Sequence, residues 1–184
     1  MLNLILITLK ILQALIAADL FTGLIHFIED NYFSSETWLI GSYIIQPNRI
    51  HHVHPKHITN KTYIENIKLS SICSSIFYIF WYIIYGHGSL FLISFLFFVS
   101  ISNLIHRWSH EHNNHFLIYM LQYTILINNQ QHQLHHLNIK TNYCIMTPFC
   151  NPILEHFNVW RQIERLINYI TSLNQSRLHN CHGL

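Results

Sequence analysis

Apolar residues in this chain gather into long runs separated by polar segments rich in histidine, and the run lengths predict the architecture. Leu2 to Phe27 is nearly all apolar, interrupted chiefly by Asn3, Lys10, Gln13 and Asp19. That is enough to cross a hydrocarbon core of about 30 Å as a helix. The small pair Ala17-Ala18 resembles a leader cleavage site, but more apolar chain follows it, so a retained helix is expected. Leu69 to Tyr85 and Ser89 to Ile105 are two further runs, joined by Gly86-His87-Gly88 as the turn of a helical hairpin. Phe116 to Ile127 is apolar but only 12 residues long, which leaves a fourth crossing and a re-entrant or interfacial helix both open. Near the C-terminus, Ile153, Leu154, Phe157, Trp160, Ile163, Leu166, Ile167 and Ile170 recur at helical spacing with Arg161, Glu164 and Arg165 between them. They predict one amphipathic helix lying on the membrane or on the protein.

The expected fold class is all-α: a polytopic membrane helical bundle of three to four spans with a cytoplasmic histidine-rich cap. Residues 1–173 read as one membrane domain and residues 174–184 as a polar, frayed C-terminal tail. Three spans put residues 29 to 68, and everything after His106, on one side of the bilayer. Nine of the ten Lys and Arg residues fall there, so the positive-inside bias makes that side cytoplasmic.

Composition strengthens the membrane reading. Hydrophobic residues make up 51% of the 184 and charged residues 10%, against roughly 25% charged in a soluble domain. Net charge is +2 with histidine neutral, and no basic run interleaves with aromatics, so nucleic acid is not an expected partner. Cys73, Cys144, Cys150 and Cys181 lack CxxC spacing and read as small apolar fillers.

Sixteen residues are histidine, and every dense group falls on the cytoplasmic side of the spans. His106-Arg107-Trp108-Ser109-His110 is HxxxH after an apolar helix, which sets both imidazoles on one face. His132-Gln133-Leu134-His135-His136 offers i,i+3 and i,i+4 pairs. His26 and Asp30 add an imidazole and a carboxylate at the end of the first span, and His51-His52 adds a pair between spans. These eight histidines and one aspartate supply about the donors for two metals of five or six ligands each, with positions left for oxygen or water. Structural zinc needs four ligands, usually with cysteine. His110-Glu111-His112-Asn113-Asn114-His115 has the wrong spacing for HExxH. Imidazole with a little carboxylate suits non-haem iron, and a dimetal arrangement suits oxygen activation. Haem between facing histidines stays open, although it does not account for the doublets.

Asp19 through His26, Gln46-Pro47-Asn48-Arg49-Ile50-His51-His52 with Pro55 and Thr59, the two histidine boxes above, Tyr143-Cys144-Ile145 and Asn151-Pro152-Ile153-Leu154-Glu155 together resemble the Kua or plasmanylethanolamine desaturase family. That family also contains plant plastid fatty acyl desaturases, and the resemblance runs from about Asp19 to Ile167. It implies a lipid desaturase with two iron ions and O2 as co-substrate, acting on a membrane phospholipid. The motif matches carry over His26, His51, His52, His106, His110, His132, His135 and His136 as ligands, with Asp30 as ligand or hydrogen-bonding neighbour. In the animal and bacterial members the reacting chain is the sn-1 alkyl ether and the product a vinyl ether. In the plant members it is an acyl chain near its carboxyl end. Gln131 and Thr124 stand where animal members have histidine, and Gln131, Asp30-Asn31-Tyr32 and Asn142 to Ile145 lean toward the plant pattern. The Arg49 to Thr59 region leans the other way, and the ether lipid is the expected substrate.

Cleaving an unactivated C–H bond requires a strongly oxidising metal-oxygen species, which iron provides and redox-silent zinc does not. The chain has no GxGxxG and no iron-sulfur cysteine spacing, so a separate cytochrome b5-like or ferredoxin-like electron donor is expected. Asp19, seven residues before His26, is a functional candidate as an acid inside a span, either by hydrogen-bonding a ligand histidine or by packing. Asn103 and Glu155 are weaker candidates of the same kind. His54, His57, His112 and His115 read as loop residues, His87 as remote from the site, and His156, His179 and His182 as surface. Trp81, Tyr82, Trp108 and Trp160 read as interface anchors or packing.

Overall fold

The computed structural model describes residues 2–111 and 115–181, with side chains as far as Thr171. In chain order the elements are α1 (Leu2–Tyr32), a π-helical turn (Gly41–Ile45), α2 (Gln46–Val53), a 3-10 turn (Pro55–Asn60), α3 (Tyr63–Tyr85), α4 (Leu90–His110), α5 (Phe116–Thr124), α6 (Asn129–Leu137), α7 (Cys150–His156) and α8 (Val159–Cys181). No strand occurs among the described residues. The molecule is an all-α membrane protein.

Among the described residues, α1, α3 and α4 are the helices long and apolar enough to cross a membrane. Each outruns its apolar stretch at the same end. α1 continues past Phe27 to Tyr32, and α4 past Ile105 to His110. α3 starts at Tyr63 rather than Leu69 because Thr62 and Glu65 form a capping box: the Thr62 hydroxyl accepts from Glu65 N at 3.2 Å and the Glu65 carboxylate accepts from Thr62 N at 2.7 Å. At the far end, Gly86 closes α3 with φ of 71°, a left-handed cap that glycine adopts without steric cost. The Trp81 indole donates to His87 O at 3.1 Å in that turn. α4 is the middle helix, packed on α1 at one side and on α3 at the other. Ser70 Oγ on α3 donates to Ser100 O on α4 at 2.7 Å. Ile72, Ile76, Phe80 and Ile83 of α3 face outward, the side-chain set that a hydrocarbon solvent requires.

One open alternative is resolved and one expectation is corrected. α5 has nine residues, about 14 Å of helix, so the run at 116–127 is too short for a fourth crossing. The single amphipathic helix expected over 153–170 is two helices, α7 and α8, broken where Asn158 adopts φ of 51°. The apolar spacing continues across the break, which hid it. Trp160 is buried and Ile163 and Ile167 pack beside it on Phe27, Tyr143 and Cys150, so the start of α8 lies on the protein. α8 also carries on to Cys181, through most of the segment expected as a frayed tail.

Between α6 and α7 the backbone has no regular structure, and side chains from elsewhere satisfy its polar groups as burial demands. Asp19 Oδ1 accepts from Met146 N at 2.9 Å, and its Oδ2 accepts from Thr147 N at 3.1 Å and Thr147 Oγ1 at 2.6 Å. Asn151 clamps Cys144 twice, accepting from its N–H at 2.9 Å and donating to its carbonyl at 2.8 Å. Glu155 accepts from Asn142 N at 2.7 Å. Gly23 lets this strap lie against α1, since a Cβ there would sit 2.7 Å from Cys144 Sγ and 3.2 Å from Cys144 Cα. Asp19, Gly23 and His26 are spaced i, i+4, i+7 on one face of α1, and Phe27 and Asn31 extend the contact at Tyr143.

Candidate metal centre

Four helices deliver the nine predicted donors to the polar end of the bundle. α1 brings His26 and Asp30, α2 brings His51 and His52, α4 brings His106 and His110, and α6 brings His132, His135 and His136. α2 begins Gln46-Pro47, where proline costs no helix hydrogen bond. α6 is started by a capping box in which Asn128 Oδ1 accepts from Gln131 N at 3.0 Å and Gln131 Oε1 accepts from Asn128 N at 3.3 Å. Gln131 is thus committed to the helix start in this chain.

The nine divide into two groups. In the first, one donor atom from each of His51, His106, His110, His132 and His136 lies within 4.8 Å of every other. Metal–nitrogen bonds of about 2.1 Å place neighbouring ligands about 3.0 Å apart and opposed ligands about 4.2 Å apart. The observed Nε2···Nε2 separations are 3.0 Å for His51–His106, 2.8 Å for His106–His132 and 3.1 Å for His132–His136. They match adjacent edges of one coordination sphere. Burial, then the neighbouring imidazoles, pushes His51 down to about 2 and His136 to about 3, and holds His132 well below its ordinary value. These rings are neutral at pH 7, with lone pairs free for a metal.

The second group is His26, Asp30, His52 and His135. His26 Nδ1 lies 3.1 Å from Tyr143 O, and His135 Nδ1 lies 2.7 Å from Thr141 O. A carbonyl can only accept, so both Nδ1 atoms carry the hydrogen and both Nε2 atoms present a lone pair. Those Nε2 atoms face Asp30 Oδ2 at 3.5 and 3.4 Å, and all three atoms are buried without a hydrogen-bond partner. Lone pairs facing each other in a buried site repel unless a positive charge sits between them. A metal ion satisfies all of them where a single proton satisfies two. The donor set therefore fits a metal at both groups. Asp30 Oδ1 is held by Asn48 Nδ2 at 2.7 Å and lies 3.1 Å from His52 Nε2. The groups adjoin, with the His52 and His136 ring centroids 5.2 Å apart.

Other candidates lie elsewhere. Asp19 bonds the strap and no imidazole, the packing alternative of the two left open for it, and the same strap carries the Tyr143 carbonyl that faces His26 Nδ1. Glu155 likewise bonds the strap. His87 sits in the far hairpin turn with its Nδ1 2.8 Å from Tyr85 O, and His156 packs on Phe157. His115 precedes α5. His57, read as a loop residue, and Asn103 line a cavity beside the donors. His112, His182 and the His179 side chain lie outside the described residues. Spacing did not single out Asn48, Gly23 or Asn151, although the Asp19/Gly23/His26 register was available as a signal.

The depressed histidines have a measurable consequence. Below about 6.5 the unfolded chain binds protons that folded His51 and His136 refuse. The metal-free protein is expected to lose stability progressively as pH falls from 6.5 toward 3. An unfolding midpoint in detergent that stays constant between pH 7.5 and 5.5 would contradict this.

That cavity, about 300 Å³, lies among α1, α3 and α4, is also lined by the π-helical turn, α2, the 3-10 turn and Ile145 of the strap, and touches His26, His51 and His106. Its α1 wall includes Phe21, Thr22, Ile25 and Glu29, and its α3 wall Cys73, Ser70, Leu69, Asn66 and Glu65, with Lys61 just before α3, so the charged members lie toward the metal-site end.

Residues 15–177 match the family model described as the lipid desaturase domain. Among curated relatives, a "probable fatty acid desaturase" of Acanthamoeba polyphaga mimivirus is 31% identical over 89% of this chain. A plasmanylethanolamine desaturase of Myxococcus xanthus is 30% identical over 89%, and a chloroplastic fatty acid desaturase 4-like protein of Arabidopsis thaliana is 28% identical over 83%. The chain spans 84% of the viral protein's length, but only 61% and 56% of the bacterial and plant proteins' lengths. No solved structure matches. A family match that covers nearly the whole chain, including all nine converging donors, leaves one conclusion: this chain belongs to the lipid desaturase family of membrane oxidoreductases.

Proposed function

We propose that this protein is an O2-dependent desaturase that converts the sn-1 alkyl ether chain of an ethanolamine phospholipid to a vinyl ether. The observation that carries the lipid-chain reading is the cavity that three candidate ligands border and that holds apolar and charged residues together. The ether in place of the acyl chain rests on the likeness to the plasmanylethanolamine desaturases. At about 300 Å³ it is at the small end of ligand sites, with room for the reacting part of a chain rather than a whole phospholipid. Phe21, Ile25, Leu69 and Cys73 favour methylenes, and the charged end favours a headgroup. His26 stands between the levels of Ile25 and Glu29 on α1, which brings the first carbons of the chain to the metal end.

His51, His106, His110, His132 and His136 would hold one iron, and His26, Asp30, His52 and His135 the other. Iron bound there supplies the oxidising power that C–H cleavage needs. Asn48 fixes the Asp30 carboxylate, and the Tyr143 and Thr141 carbonyls fix two imidazoles, so this second group is preorganised. The balance is one lipid CH2–CH2, O2, two electrons and two protons in, and one C=C and two waters out. The two electrons come from a separate cytochrome b5-like or ferredoxin-like donor. The concentration of Lys and Arg at the metal-site end supports a cytoplasmic placement.

A second reading, desaturation of an acyl chain near its carboxyl end, is favoured by the viral and plant relatives' names. One experiment separates them. The protein, expressed with a donor in cells containing both ether and diacyl phospholipids, is expected to produce acid-labile vinyl ethers only in the presence of O2. New double bonds confined to acyl chains would transfer the proposal to the second reading. One bound zinc with no iron and no O2 dependence would remove both.

A further inference from the structure

The cavity mouth carries charges that the chemistry of desaturation does not use. Phe21, Ile25 and Glu29 form one stripe of α1 at four-residue spacing, and only the last is charged. Glu29 is half-buried and makes no hydrogen bond or ion pair with a described residue. Glu65 lines the same cavity, but its carboxylate is occupied in the Thr62 cap. Lys61 and His57 reach the cavity from the other side, around the start of α3. The mouth therefore offers the uncommitted Glu29 carboxylate and the Lys61 ammonium, on a slot that Phe21, Ile25, Leu69 and Val99 line together with the small polar residues Thr22, Ser70 and Ser102. A glycerol headgroup would set only neutral hydroxyls against the Glu29 carboxylate, and a neutral glyceride would bring neither a cation for Glu29 nor a phosphate for Lys61, so the half-buried charge of Glu29 would gain no counter-ion from either.

We propose that Glu29 and Lys61 form a headgroup subsite for a zwitterionic phospholipid bearing a primary ammonium, with Glu29 accepting hydrogen bonds from the ammonium and Lys61 pairing with the phosphate. A primary ammonium donates to a carboxylate, whereas a quaternary ammonium has no N–H to donate, so the subsite separates ethanolamine from choline as well as from glycerol headgroups. Glu29 lies one helical turn beyond His26, which sets the headgroup one turn from the nearest ligand. The subsite deepens the desaturase reading and rests on it.

The test is lipid binding to the purified, iron-loaded full chain in detergent, by native mass spectrometry with chain-matched phosphatidylethanolamine, phosphatidylcholine and phosphatidylglycerol. The parent protein is expected to prefer the ethanolamine lipid by roughly tenfold over either alternative, the size of one charge-assisted hydrogen bond. Glu29→Gln is expected to abolish the preference over choline while iron content is retained, and Glu29→Lys to favour phosphatidylglycerol. A parent without headgroup preference, or a Glu29→Gln variant that keeps the parent's preference, overturns the subsite. A parent that binds no iron and alters no lipid of any headgroup defeats the desaturase reading instead, a result distinguishable from loss of selectivity alone.

Discussion

Asp30→Ala is expected to leave about one iron per chain where the parent holds two, and to reduce desaturation below about 1% of the parent. The carboxylate is the element common to the second group: its Oδ1 lies 3.1 Å from His52 Nε2, and its Oδ2 faces the bare nitrogens of His26 and His135. Without it, three imidazoles remain with no negative charge among them, and Asn48 loses its acceptor. The five-histidine group takes no part in these contacts and is expected to keep its metal. His106→Ala or His136→Ala acts on the other group. His106 Nε2 is the neighbour of both His51 and His132, so its loss opens the middle of that sphere. Turnover is expected to vanish in both variants and to be unchanged in His87→Ala, whose side chain lies in the far hairpin. Elemental analysis with lipid mass spectrometry reads all four proteins. Full turnover in His136→Ala would remove the five-imidazole group from the ligand set, and two irons in Asp30→Ala would do the same for the second group.

Asp19→Ala is expected to destabilise the protein by roughly 3–5 kcal/mol, through three hydrogen bonds to one buried carboxyl and the unmet donors left behind. Met146 N, Thr147 N and Thr147 Oγ1 all lose their acceptor in a part of the core that is closed to water. Asp19→Asn should be harmful as well, because it turns an NH2 toward donors. The damage is expected to reach the metal centre, since the same strap supplies the Tyr143 carbonyl that orients His26. Thermal unfolding in detergent and iron content are the readouts. An Asp19→Asn protein with the parent's unfolding midpoint would show that the latch contributes nothing.

The donors were legible because histidine spacing on a helix is local information: HxxxH and HxxHH place rings on one face wherever the helix goes. The three long spans were legible from run length. The strap was not. Its hydrogen bonds join Asp19 to residues 127 and 128 positions away, and no local pattern marks an irregular segment held by distant side chains. The break at Asn158 was hidden by the apolar spacing on either side of it. Gln131 was read by its difference from histidine, while its structural use at the start of α6 depends on an Asn128 partner that only the capping geometry reveals.

α1 runs unbroken for 31 residues, from lipid-facing leucines and isoleucines to His26 and Asp30. A helix of that length, about 46 Å, behaves as a depth gauge. Any slide of its apolar stretch along the bilayer normal carries the two proposed ligands His26 and Asp30 with it, and one helical turn is 5.4 Å, the reach of several methylenes. Bilayer thickness, which governs where such a helix settles, would thus set how far the metal-site end of the protein stands from the plane of the headgroups it draws lipid from.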